Sequence, residues 1–177
     1  MFDPTIYDNL KVVLEGAVYE YDLKGHIQIA DRKDVIDIAV MSRTYSIYFQ
    51  QAGAEEGAPL AGLTLHAPIA DLAAELLERD GVTPGCELHV TFELDVPEPE
   101  IACPIIENRL KHLWENRPQI SQRVSYLHGG NKGYNILVTL EFNRKIDESN
   151  IEDVSAVLSY TCLSLEWFTD WKGQLPR

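Results

Sequence analysis

The chain has 177 residues, of which 45% are hydrophobic and 24% are charged, and its formal net charge is −13. This composition is typical of a globular protein and excludes the disordered and fibrous classes, and the length fits a single domain spanning residues 1–177. The acidic balance argues against nucleic acid and anionic membranes as partners, because both are bound by clustered cations.

The N-terminal residues and the cysteines also restrict the class of protein. The opening residues, MFDPTIYDNL, lack the basic and apolar regions of a signal peptide, and no stretch approaches the roughly 18 apolar residues of a membrane span. Cys86, Cys103 and Cys162 are far apart and have no zinc-site spacing. We therefore expect a cytoplasmic protein without disulfides, metal or cofactor.

Helical and β-strand patterns alternate in the first third of the chain. Asp3-Pro4 is a good helix start, and the tyrosines beyond Gly16 favour a strand. In the apolar run that ends at Phe49 the phase of the alternation switches, which predicts a bulge or a break near Ser42-Arg43. The predicted elements are a helix at 4–12, strands at 16–23, 27–29 and 35–49, and a glycine- and alanine-rich linker at 50–64.

The rest of the chain has clearer patterns. Apolar residues recur at helical spacing after Pro68, and they alternate with polar residues between Leu88 and Val96. A glycine-rich loop, 128–133, separates two alternating stretches, which is typical of a hairpin and not of a phosphate-binding loop. The predicted elements are helices at 68–79, 104–116 and 150–168, the last with a capping box of Ser149 and Glu152, and strands at 88–96, 120–127 and 134–142.

These elements follow the order α-β-β-β-α-β-α-β-β-α, which neither alternates strictly nor separates strands from helices. The simplest architecture is an α+β domain, in which three or four helices pack largely on one face of a mostly antiparallel sheet of about five or six strands.

Charge is unevenly distributed along the chain. Residues 1–100 contain 19 acidic and 6 basic side chains, whereas residues 101–145 contain three acidic and seven basic ones. This asymmetry favours a non-catalytic protein-interaction module that forms a homodimer, in which the basic stretch of one copy meets the acidic part of another. The residues expected to form the contact are Arg109, Lys111, Arg117, Arg123, Trp167 and Trp171.

Three other interpretations stay open. Both charge regions can face water in a monomer, or the acidic surface can inhibit a basic protein. The third is a small-molecule-binding protein or enzyme with a pocket near Cys103. If Pro104 opens a helix, Cys103 is its N-cap, where the helix dipole stabilises a thiolate, and His89, His112 or His128 could serve as base. Cys103 and His112 are the candidate catalytic pair of this interpretation, although no motif of a cysteine enzyme surrounds them.

Overall fold

One six-stranded antiparallel sheet and four α-helices make up the residues that the computed structural model describes, 5–77, 81–130 and 133–173. The helices are α1 (Ile6–Leu23), α2 (Ile69–Leu76), α3 (Pro99–Leu113) and α4 (Ile151–Gly173). The strands are β1 (Ile27–Asp37), β2 (Ser42–Gln51), β3 (Leu60–Ala67), β4 (Cys86–Val96), β5 (Gln119–Ser125) and β6 (Tyr134–Ile146).

The strand order in the sheet is β1-β2-β3-β4-β6-β5. Strand β1 pairs with β2, β2 with β3, and β3 with β4. Helix α3 then carries the chain to the far edge of the sheet, where β5 forms. Strand β6 returns between β5 and β4 and pairs antiparallel with both. The two edges of the sheet are therefore β1 and β5.

The two faces of the sheet differ in polarity. Along β4, buried Leu88, Val90 and Phe92 alternate with the less buried polar residues between them. The apolar face packs against α1 and α4, and the rings of Phe92 and Phe168 on α4 lie 5.0 Å apart. The predicted α+β architecture, with helices over one face of an antiparallel sheet, is confirmed.

The strand predicted at 16–23 is wrong, because these residues continue α1. A single buried stripe, Tyr7, Leu10, Leu14 and Val18, runs through the helix at three- and four-residue spacing. Burial of this stripe outweighs the β-propensity of the valines and tyrosines. The predicted order of elements nevertheless agrees with the structure, since β3 supplies the missing strand.

Strand β3 begins inside the segment predicted to be a linker, 50–64, and β2 ends at Gln51, so that prediction is wrong at both ends. Residues 61–63 of this central strand are all buried, and the alternation of buried and less buried residues begins only at Leu63, near the end of the predicted linker. Gly62 is required by close packing: a Cβ there would lie 2.5 Å from Thr91 Oγ1 and 2.8 Å from the ring of Tyr48. Only the turn at 52–59 is irregular.

Helix boundaries differ from the prediction at two places. Helix α3 begins at Pro99, five residues before Pro104, because Pro99 occupies the first turn after the N-cap Glu98. The capping box before α4 uses Asp147 and Asn150, two residues earlier than predicted, and closes a 3₁₀ turn at Glu148–Asn150. The break expected near Ser42-Arg43 is the turn of the β1–β2 hairpin, at 38–41.

The helices at 68–79 and 150–168, the strand at 88–96 and the hairpin of 120–127 with 134–142 are confirmed, with shifted ends. Residues 78 and 79 of the first of these predicted helices lie outside the described residues. Among the helices described, none has the length and apolar character needed to cross a membrane.

Candidate functional site

A cavity of about 390 Å³ opens at the end of the sheet where β5 begins. It is bounded by the turn after α3, the end of β6 and the first turns of α4. Its volume falls in the range of roughly 300–1,000 Å³ that is usual for small-molecule sites. We call it the aromatic cavity, after the side chains at its base: Leu88, Trp114, Phe142, Val154, Val157 and Tyr160.

Trp114 is the centre of the cavity base and is only 4% exposed. Its ring centroid lies 5.7 Å from that of Phe142 and 5.4 Å from that of Tyr160. Its indole N–H donates to Ser164 Oγ at 3.0 Å, so this buried donor already has its partner. The indole therefore presents apolar surface to the cavity.

Two arginines stand at the rim of the aromatic cavity. Arg117 donates to Glu115 Oε2 at 2.5 Å, and Arg144 donates to Asp153 Oδ2 at 2.7 Å. All four side chains line the cavity, and each is between 48% and 68% exposed. The rim thus offers charged groups of both signs above an apolar base.

The backbone around the cavity is irregular in two places. Opposite Leu88, strand β6 contributes three residues, Phe142–Arg144, instead of one, which forms a bulge. Asn143 in this bulge has φ 51°, and Glu115 and Asn116 after α3 have φ 53° and 55°. These left-handed conformations are uncommon outside glycine, and they set the positions of the side chains at the rim.

The structure does not bring Cys103 and His112 together. Both lie on α3, nine residues apart, which places them on opposite sides of the helix and separates them by about 13 Å along its axis. Cys103 is half-buried and His112 is exposed. Neither is among the residues that line the aromatic cavity.

Cys103 also lacks the N-cap position that was expected to activate its thiol. Cys103 is the fifth residue of α3 and not its N-cap, and the dipole effect is confined to the first turn. Burial, and then the nearby Glu100 carboxylate, raise the pKa of the Cys103 thiol. Burial likewise raises the pKa of the Cys86 and Cys162 thiols to about 12.

We expect the Cys103 thiol of the folded protein to react with iodoacetamide at pH 8 more slowly than free cysteine does. The raised pKa leaves less thiolate, which is the reacting form. Cys86 and Cys162 are expected to stay unmodified on the same timescale. Mass spectrometry after timed quenching measures each site, and protein in denaturant, where all three thiols react, is the control. Labelling of Cys103 faster than free cysteine would restore it as a nucleophile.

The basic residues predicted to bind a partner are dispersed, and several are paired within the chain. Lys111 is 2.5 Å from Glu107, and Arg117 is paired with Glu115 as described. The guanidinium carbon of Arg109 lies 5.8 Å from the centre of the Trp167 ring. Arg123 is exposed on the edge strand β5. Positive and negative groups are thus mixed on this side of the molecule.

The two late tryptophans pack back on the domain. The rings of Trp167 and Trp171 stack with centroids 5.4 Å apart, and both side chains are half-buried against the core. The ammonium group of Lys172 donates to the carbonyl of Gly57, which holds the end of α4 against the 52–59 turn. Their role in a contact with another protein stays a prediction.

A different surface is markedly apolar. The end of the β1–β2 hairpin, which we call the hairpin end, exposes five large side chains whose exposed fractions lie between 49% and 80%. They are Val35, Ile36, Ile38, Val40 and Met41. The carboxylate of Asp37 accepts the N–H groups of Ala39 and Val40 at 2.9 and 3.4 Å, which fixes the turn. The apolar run VIDIAVM can be seen in the sequence. Such a run is equally typical of a buried strand, so the sequence alone does not predict that these side chains are exposed.

The sequence interpretation also missed most of the aromatic cavity. Arg117 was named, but Trp114, Arg144 and Asp153 were not, since the cavity forms only when the ends of α3, β6 and α4 meet. The sequence contains one local signal for the turn at the cavity rim, which is Asn116 directly after an apolar helix. Asparagine often adopts a left-handed conformation at that position.

Comparisons with known proteins do not assign this chain to a family. No protein-family model matches the chain, and no curated protein matches it significantly. Among the described residues, no three histidine, cysteine or acidic side chains converge as metal ligands. Function therefore has to be inferred from the surfaces described above.

Proposed function

We propose that the protein is a non-catalytic interaction module that self-associates as a two-fold dimer through the hairpin end. The observation that carries this proposal is the exposure of five large apolar side chains within seven residues, 35–41. Large apolar side chains that are exposed together in one short segment often mark a contact site in a folded protein. The three free cysteines fit a reducing compartment, so we place the module in the cytoplasm.

A second copy of the chain is the partner that best fits the hairpin end. A two-fold contact joins the same patch of both copies, so the patch has to be complementary to itself. An apolar patch meets this condition, whereas an acidic one repels its copy. Two chains of net charge −13 can therefore approach most easily where the charge is low, and Asp37 is the only ionisable residue between 35 and 41.

The salt dependence of dimerisation distinguishes this contact from one between acidic and basic segments. Salt screens the repulsion between two acidic copies, so we expect the dimer to tighten as ionic strength rises from about 0.01 M to about 0.15 M, where the Debye length falls from ~30 to ~8 Å. A contact made by opposite charges would weaken over the same range. Sedimentation velocity over a series of protein concentrations measures the dissociation constant in each salt.

Two matched variants locate the contact. Ile38 on the hairpin end and Leu127 beyond β5 are both 80% exposed, and they lie at diagonally opposite corners of the sheet. We expect Ile38→Asp to weaken dimerisation about a hundredfold, because a charge replaces apolar surface in both copies. Leu127→Asp adds the same charge and should leave the dissociation constant unchanged. A wild-type monomer in both salts, or equal effects of the two variants, would refute the proposal.

A further inference from the structure

The aromatic cavity has a base that suits an apolar group. Trp114 is flanked by Phe142 and Tyr160 at ring distances of 5.7 and 5.4 Å, and its N–H is already bonded to Ser164. A polar group placed on this base would lose its water without gaining the indole donor as a partner, which costs free energy. The part of a ligand that enters the cavity is therefore a ring or a short aliphatic chain.

The rim of the cavity suits an anionic group. Arg117 and Arg144 each have five N–H donors, and each uses one nitrogen for its partner carboxylate. Both ion pairs are about half exposed, so each contributes little stability and can be rearranged at low cost. A carboxylate between the two arginines can then accept paired hydrogen bonds from a guanidinium group.

The acidic side chains at the rim do not favour a cation instead. Glu115 and Asp153 already face the two arginines, so an ammonium group would approach both guanidinium groups at the same time. Asp153 also lies in the first turn of α4, where the helix dipole favours negative charge. The two ion pairs carry no net charge, so the dipole at the start of α4 is what favours an anion at the rim.

Backbone conformation provides a second observation. Of the four non-glycine residues with positive φ in the described chain, Glu115 lines this cavity, and Asn116 and Asn143 are chain neighbours of the lining residues Arg117 and Phe142. Two of them stand between Trp114 and Arg117, and the third stands between Phe142 and Arg144. Residues in such conformations carry strain and cluster at binding sites, where they fix the direction of neighbouring side chains. Here they hold the aromatic base and the arginine rim around one space.

We infer that the aromatic cavity binds a small organic carboxylate, with its ring or aliphatic body on Trp114 and its carboxylate between Arg117 and Arg144. The site is independent of the proposed dimer contact, because none of its lining residues belongs to the hairpin end. It assigns a ligand class to the protein and requires no chemical step.

Three probes of similar size and different charge test the inference. Phenylacetate, phenylacetamide and phenethylamine share a benzyl body and carry a carboxylate, a neutral amide and an ammonium group. Isothermal titration calorimetry on the full chain should give phenylacetate an affinity about tenfold higher than phenylacetamide, since hydrogen bonds between two charged groups are stronger than those to a neutral amide. Phenethylamine should bind most weakly.

Variants of the rim and the base complete the test. Arg117→Gln and Arg144→Gln are each expected to lower the affinity for phenylacetate about tenfold and to leave that for phenylacetamide unchanged. Arg109→Gln removes an exposed arginine that stacks on Trp167, and it should change neither affinity. Ala156 lines the cavity and is exposed on α4, so Ala156→Trp should fill the space, abolish binding of both probes and leave the fold intact.

Several results would overturn this inference. One is the absence of phenylacetate binding, and another is equal affinity for the acid, the amide and the amine. A loss of affinity in Arg109→Gln as large as in Arg117→Gln would show a general charge effect. Unchanged binding to Ala156→Trp would place the probe outside the cavity. None of these results bears on the dimer contact, which is tested separately.

Discussion

Replacing Lys145 with alanine is expected to lower the free energy of unfolding by about 3 kcal/mol. Its ammonium group donates to both oxygens of Asp71, at 2.7 and 2.8 Å, and the Asp71 side chain is only 3% exposed. Without the lysine, Asp71 is a buried carboxylate whose remaining donor is the N–H of Gly85, at 3.2 Å. Urea unfolding monitored by circular dichroism measures the loss.

Two comparisons separate this effect from the mere removal of a lysine. Lys111→Ala breaks an exposed pair with Glu107 and should cost less than about 1 kcal/mol. The double variant Asp71→Leu with Lys145→Met replaces the charged pair by apolar groups, and it should be more stable than Lys145→Ala. If Lys145→Ala and Lys111→Ala lower the free energy of unfolding by the same amount, the buried Asp71 carboxylate does not need Lys145 for stability.

Substitution of Gly62 by alanine is expected to lower the free energy of unfolding by about 1–3 kcal/mol, because the added Cβ has no space between β2 and β4. It would lie 2.5 Å from Thr91 Oγ1 and 2.8 Å from the Tyr48 ring. The ring must swing away from the strand for the methyl group to fit. Thermal and urea unfolding of the variant measure the loss.

The matched control for Gly62 is Gly16, in the middle of α1. A Cβ at Gly16 would meet nothing within 4 Å. Gly16→Ala should therefore raise the free energy of unfolding by about 0.5–1 kcal/mol, since glycine is less favourable than alanine inside a helix. The two glycine variants are thus expected to change the free energy of unfolding in opposite directions. A change in the same direction would contradict the packing described for β3.

Elements with a strong local pattern could be predicted from the sequence. Strand β4 alternates without interruption because one face is buried and the other is open, and β6 alternates in the same way after the glycine-rich segment that follows β5. Helix α2 follows a proline and carries its apolar residues on one side. In each case the residues that determine the structure are neighbours in the sequence.

The errors arose where distant residues decide the structure. Helix α1 forms because Tyr7, Leu10, Leu14 and Val18 are buried under it, and that burial depends on a sheet built from later residues. The need for Gly62 is visible only when β2 and β4 lie on either side of it. The aromatic cavity, likewise, combines side chains from residues 88–160. Arg117 could be named for its charge, but its place at the rim depends on the left-handed backbone at Glu115 and Asn116.

The position of α4 has a consequence for how the chain folds as it is made. Phe168 on α4 is fully buried and lies against Phe92 of the central strand β4. While a ribosome is still translating residues 151–173, the apolar side of the nascent sheet lacks this cover. Incomplete chains of this kind expose hydrophobic surface and are prone to aggregate. Stable folding of the whole sheet therefore has to wait until α4 has been synthesised.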